Sequence, residues 1–193
     1  MVRFARALTA AVAFLAAGAN LLAAGDARVT LVPWEVLDPA EPVAAPLVLF
    51  WIPATPDELR RSDLLTSYDL TLFSSRCVAM RVVRFNDAAR LASLDVGPEV
   101  PMVVLTDHEG NILGRVAADD GELPLAEVED LVREELDERE ARAEALLDRA
   151  RDQAEDRDEG AALSLYQQVW EERCVCPRQA RDAKRAMKKL ARK

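Results

Sequence analysis

The chain has 193 residues, half of them hydrophobic, and a formal net charge of −9. That much apolar material excludes global disorder, and the length accommodates one main domain with an appendage. The negative balance excludes nucleic acid and anionic lipid as general partners, because both require a positive surface.

Arg3 and Arg6 precede an apolar run from Ala7 to Ala24, and small residues follow at Gly25 and Ala27. This is the layout of a signal peptide cleaved between Ala24 and Ala27, or of a signal anchor if it stays uncleaved. Residues 1–27 are therefore expected to be a targeting segment, and the protein to be exported to the periplasm or cell envelope of a bacterium. No cysteine sits near the cleavage region, so no lipid anchor is expected.

Val29 to Val32 reads as a first strand, and Pro33 to Leu37 as a turn or short helix. Leu47-Val48-Leu49-Phe50-Trp51 is a continuous apolar run, the pattern of a strand buried on both faces. A helix is expected from Pro56 to about Ser67, with Thr55 as its N-cap and Glu58 completing a Thr-x-x-Glu capping box. Val78 to Phe85 reads as a strand and Ala88 to Leu94 as a short helix. Pro101 precedes a strand from Met102 to Thr106, which pairs as a hairpin with Ile112 to Val116 across Asp107-His108-Glu109-Gly110-Asn111. Leu125 to Leu136 is expected to close the domain as an amphipathic helix.

The stretch from Asp137 to Lys193 is helical by composition. Ala143, Leu146, Leu147, Ala150 and Ala154 recur at helical spacing, Ala162, Leu165, Tyr166 and Val169 form a second apolar side, and Pro177 opens a third helix. The first two helices resemble a single tetratricopeptide-type pair, which cannot bury its own face and must pack on the domain, another copy or a partner. Acidic residues dominate from Asp119 to Glu159 and basic ones from Arg173 onward. The basic tail is expected to complement that acidic region and its own helix dipole.

The order strand, helix, strand, helix, strand, strand, helix is accompanied by two local features. A Trp-ended strand runs into a helix start, and a proline stands just before the strand that faces it. Together these resemble the thioredoxin-like superfamily over roughly residues 29–136. The resemblance implies a three-layer α/β/α sandwich at residues 28–136, followed by a helical extension at 137–193. It also implies that Thr55 and Glu58 stand where that family carries its Cys-x-x-Cys pair, that Leu49 stands where it carries a buried acid, and that Pro101 is its cis-proline. A threonine hydroxyl stays protonated at neutral pH and cannot run thiol–disulfide exchange. No catalytic dithiol is therefore expected. The implied function is protein or peptide binding, with Trp51, Thr55, Val100 and Pro101 as contact residues and strand-like pairing at Val100.

The three cysteines are Cys77, Cys174 and Cys176. A Cys174–Cys176 bond would be strained and exchangeable, giving an alternative function as a thiol–disulfide oxidoreductase using Cys174 and Cys176. A structural bond from one of these to Cys77, or an intermolecular bond, are the other pairings. Two cysteines without further ligands fall short of a zinc set, and no metal or cofactor is expected. A lone histidine in a turn leaves no Ser-His-Asp arrangement to assemble. A homodimer through the helical extension is a further expectation.

Overall fold

The computed structural model describes residues 31–38, 41–97 and 99–192. The expected targeting segment, residues 1–27, lies outside them. The fold is α/β: a five-stranded mixed sheet carrying helices, with three helices at the C-terminal end.

The apolar run at the centre of the sheet decides the layering. Strand β2 (Leu47–Ile52) is buried at every position. Leu47, Leu49 and Trp51 point into one core, and Val48, Phe50 and Ile52 into a second on the opposite face. Alternate residues of a strand face opposite sides, so an unbroken apolar run demands cover on both. β3 (Val78–Val82) pairs with β2 in parallel, and β4 (Met102–Asp107) pairs with it antiparallel on the other side. β1 (Glu35–Val36) lies outside β3 and β5 (Ile112–Ala117) outside β4, which gives the order β1-β3-β2-β4-β5. The first strand thus forms at Glu35–Val36, where a turn or short helix was expected. Leu31 and Val32 are not strand, and residues 29 and 30 lie outside the described residues. β1 is fixed by parallel pairing with Arg81 and Val82 and by the Arg81–Glu35 ion pair at 2.8 Å.

The helix expected over Pro56 to Ser67 is broken into pieces. α1 spans Glu58–Arg61, a 3₁₀ turn spans Asp63–Leu65, and α2 spans Tyr68–Ser74. Two serines explain the breaks. The Ser62 hydroxyl accepts from Leu64 N–H at 3.3 Å and the Ser67 hydroxyl from Leu70 N–H at 3.0 Å, so each starts a new segment. Ser67 also donates to Glu129 at 2.7 Å, which ties the start of α2 to the long helix below. α3 (Ala88–Ser93), capped by Asp87, lies on the second core with Leu37 and Val43.

The helix expected to close the domain at Leu136 continues unbroken. α4 runs from Leu125 to Glu155 because no glycine or proline interrupts it. Its first half buries Val128, Val132 and Leu136 against the sheet, and its second buries Ala143, Leu147 and Ala150. α5 (Glu159–Glu171) packs back on α4, and α6 (Pro177–Leu190) packs on α5. One core therefore runs from Leu47 in the sheet to Leu190 at the end of α6.

A covalent and polar joint fastens this arrangement. Cys77, just before β3, is bonded to Cys174 between α5 and α6, with their Cα atoms 5.8 Å apart. Arg76 beside it donates from Nε and Nη2 to the Val175 carbonyl at 3.0 and 2.9 Å and pairs with Glu140 of α4. Cys77 itself sits at φ 60°, a left-handed conformation uncommon outside glycine.

Candidate functional site

Register places the candidate residues at one end of the sheet. Ile52 ends β2 opposite Met102, which begins β4, so the loop after β2 and Val100-Pro101 share that end. The Val100–Pro101 peptide bond is cis.

Thr55 and Glu58 hold the loop together by hydrogen bonds. Glu58 N–H donates to Thr55 Oγ1 at 3.4 Å. The Glu58 carboxylate accepts from Ala54 N–H at 2.9 Å and from the Trp51 indole N–H at 3.3 Å. The Thr55 half of the expected reciprocal capping forms, while the return bond to Glu58 comes from Ala54 N–H, one residue early, and the extra donor is a core tryptophan. An acid at this position gives the buried indole a polar partner while holding the turn closed. Leu49 is fully buried in the core beneath.

Trp51 is wholly buried and meets Trp34 edge to face with centroids 5.4 Å apart, so it is not a contact surface. Pro101 is also buried, and its carbonyl accepts from Ala118 N–H at 3.0 Å. Val100 is half-buried against the second core. Of the four residues expected to bind, Thr55 alone is exposed.

Thr55 instead lines a cleft on the other side of its loop, toward β3 and β1. This cleft of about 250 Å³ is walled by Val36, Pro53, Pro56, Leu59, Val82 and Phe85 together with Thr55. Phe85 is 64% exposed and Val36 49% exposed. No pattern in the sequence marks Phe85. It continues the apolar character of Val78 to Val83, and only the end of β3 at Val82 leaves its ring in the open. The cleft offers shape and apolar contact, with the charge of Arg84 at its edge and no thiol or histidine.

The sulfur lies elsewhere. Cys174 pairs with Cys77, which leaves Cys176 as the free thiol. Cys176 is fully buried, and burial, followed by the charge of Glu172, raises its pKa above the ordinary thiol value. A protonated, enclosed thiol is a poor nucleophile. In native protein at neutral pH, iodoacetamide is expected to leave Cys176 unmodified over a period in which the unfolded chain reacts fully, as read by intact mass. Rapid native labelling at Cys176 would contradict the burial.

At the opposite end of the sheet, Asp107 organises the β4–β5 turn. Its carboxylate accepts from the backbone N–H groups of Glu109 and Asn111, each at 2.9 Å, and from Asn111 Nδ2 at 2.8 Å. Burial works to raise its pKa, and these hydrogen bonds outweigh it, holding the group below the ordinary carboxylate value. His108 is exposed in this turn, 4.0 Å from Glu109. Among the described residues, no group of three or more His, Cys, Asp or Glu side chains is placed to hold a metal ion. Among the same residues, no helix is long and apolar enough to cross a membrane. The chain matches no known family model and no curated protein.

Proposed function

We propose that this is an exported, thioredoxin-like protein without a dithiol, acting as a binding module for an extended segment of another protein. Support for the thioredoxin-like reading comes from the strand order and directions and the cis-proline before β4; α1, by contrast, begins at Glu58 after Asp57 rather than at Pro56 after Thr55. The observation that carries the binding reading is the apolar cleft under Phe85, beside an edge strand. Among the described residues β1 pairs only with β3, so its outer backbone can add a strand while an apolar side chain enters the cleft. The occupant is an extended peptide with one large apolar anchor.

Selection from a peptide-display library tests this. The expected outcome is a family of peptides sharing an apolar anchor, whose affinity for the Phe85→Asp variant falls at least tenfold, about 1.4 kcal/mol. Phe85 is exposed, so the substitution leaves the fold intact. Failure to enrich any peptide, or equal binding to Phe85→Asp, would remove the cleft from consideration.

The alternative, thiol–disulfide exchange through Cys174 and Cys176, has weaker support. It requires two sulfurs free to pair, whereas Cys174 is bonded to Cys77 and Cys176 is enclosed.

A further inference from the structure

The basic tail does not neutralise the acidic region of its own chain. Among the described residues, the one ion pair on α6 joins Arg185 to Asp182 within the same helix. Arg178, Arg181, Arg185 and Lys188 are all exposed, spaced three, four and three residues apart. On an α-helix that spacing is a single row. The buried residues of α6 are Gln179, Ala180, Ala183 and Leu190, so the row faces away from the core.

α4 carries a row of opposite sign with the same intervals. Glu127, Asp130, Glu134 and Asp137 are spaced three, four and three, and all are exposed. Asp130 is paired with Arg133, and the other three make no ion pair among the described residues. This row lies opposite the buried face formed by Val128, Val132 and Leu136. Each row covers about 15 Å of helix at 1.5 Å per residue. The interval pattern reads the same in both directions, so four charges meet four whether the helices run parallel or antiparallel.

We propose that the acidic row of α4 in one copy docks against the basic row of α6 in a second copy. Matched charged rows on adjoining helices set partner choice in the same way as the flanking charges of coiled coils. Every copy carries both rows, so two copies can exchange the contact reciprocally. Individual exposed ion pairs are weak and screened by salt, so the association depends on the whole row and on low ionic strength.

Sedimentation velocity of the full chain across an ionic-strength series tests this directly. The expected result is an associated species at low salt that returns to monomer as salt rises. Arg181→Glu with Lys188→Glu should remain monomeric at low salt, and so should Glu134→Lys with Asp137→Lys. Mixing these two variants should restore association, because the unaltered acidic α4 row of the first meets the unaltered basic α6 row of the second. All four positions are exposed, and circular dichroism of each variant checks its fold before mixing. A wild-type chain that is monomeric at low salt overturns the proposal, as does association that salt leaves unchanged. A mixture that stays monomeric overturns it equally. Cosedimentation of a monomeric wild type with anionic phospholipid vesicles, lost on Arg181→Glu with Lys188→Glu, would assign the basic row to a lipid surface instead.

Discussion

Oxidised protein in which Cys77 or Cys174 is replaced by serine is expected to unfold in urea with about 4 kcal/mol less free energy than the parent. The bond joins residues 97 apart in sequence, so it closes a long loop in the unfolded chain. The chain-entropy argument gives roughly 4.7 kcal/mol for a loop of about 100 residues, with about 2–4 kcal/mol the usual measured range. Wild-type protein in a dithiol reductant should fall by the same amount, and the Cys77→Ser variant should then be indifferent to reductant. Equal unfolding midpoints with and without reductant would mean that the bond does not constrain the unfolded ensemble. Arg76 should keep α6 near its place in the reduced state, because its hydrogen bonds to Val175 and its pair with Glu140 do not involve sulfur.

Trp51→Ala is expected to cost about 3–5 kcal/mol, the range for emptying a large aromatic site in a packed core. Trp51 is fully buried between the sheet and Trp34, and its indole N–H ends on Glu58. Trp51→Phe retains most of the apolar volume and gives up that hydrogen bond, so it should cost less than half as much. Denaturant titration of the two variants separates the terms. Loss of less than about 1 kcal/mol in Trp51→Ala would mean that the site collapses around the void, contrary to the tight packing here. Peptide affinity at the Phe85 cleft should be unaffected in Trp51→Phe, since the ring lies beneath the loop rather than in the cleft.

The elements most legible in the sequence were those with a strong local cause. Leu47 to Trp51 has no polar residue, which forces burial on both faces, and Gly110-Asn111 between two apolar runs forces a hairpin. Pro177 began α6 as expected, and the expected packing of the helices against the domain appears as one continuous core. The segments around Pro56 to Ser67 read as a single helix because Thr55, Pro56 and Glu58 carry helix-start signals and no proline or glycine follows before Ser67. Two serine hydroxyls competing for backbone N–H groups divide it, and that competition is decided by tertiary cover. The length of α4 was missed for the opposite reason. Its composition changes at Asp137, yet nothing in the local chemistry stops a helix there.

The candidate site was legible only in outline. Threonine and glutamate at positions 55 and 58 exclude a Cys-x-x-Cys pair at that loop from sequence alone. The role of Glu58 as partner to the Trp51 indole requires the fold, because it depends on the loop turning back over β2. Cysteine spacing leaves three pairings open in a three-cysteine chain. Only the docking of the α5–α6 connection beside β3 selects Cys77 with Cys174.

The unbroken α4 also sets how this chain can change in length over evolutionary time. One residue inserted between Leu136 and Ala143 would rotate everything downstream by about 100° and advance it by about 1.5 Å. Ala143, Leu147 and Ala150 would swing off α5, and the α5–α6 connection would carry Cys174 away from Cys77. Insertions or deletions are tolerable there only in steps near whole turns, about seven residues for two turns. Loops away from the Cys77–Cys174 bond can drift in size. The spacing between the two halves of α4 cannot, so the helix works as a fixed ruler between the sheet and the C-terminal helices.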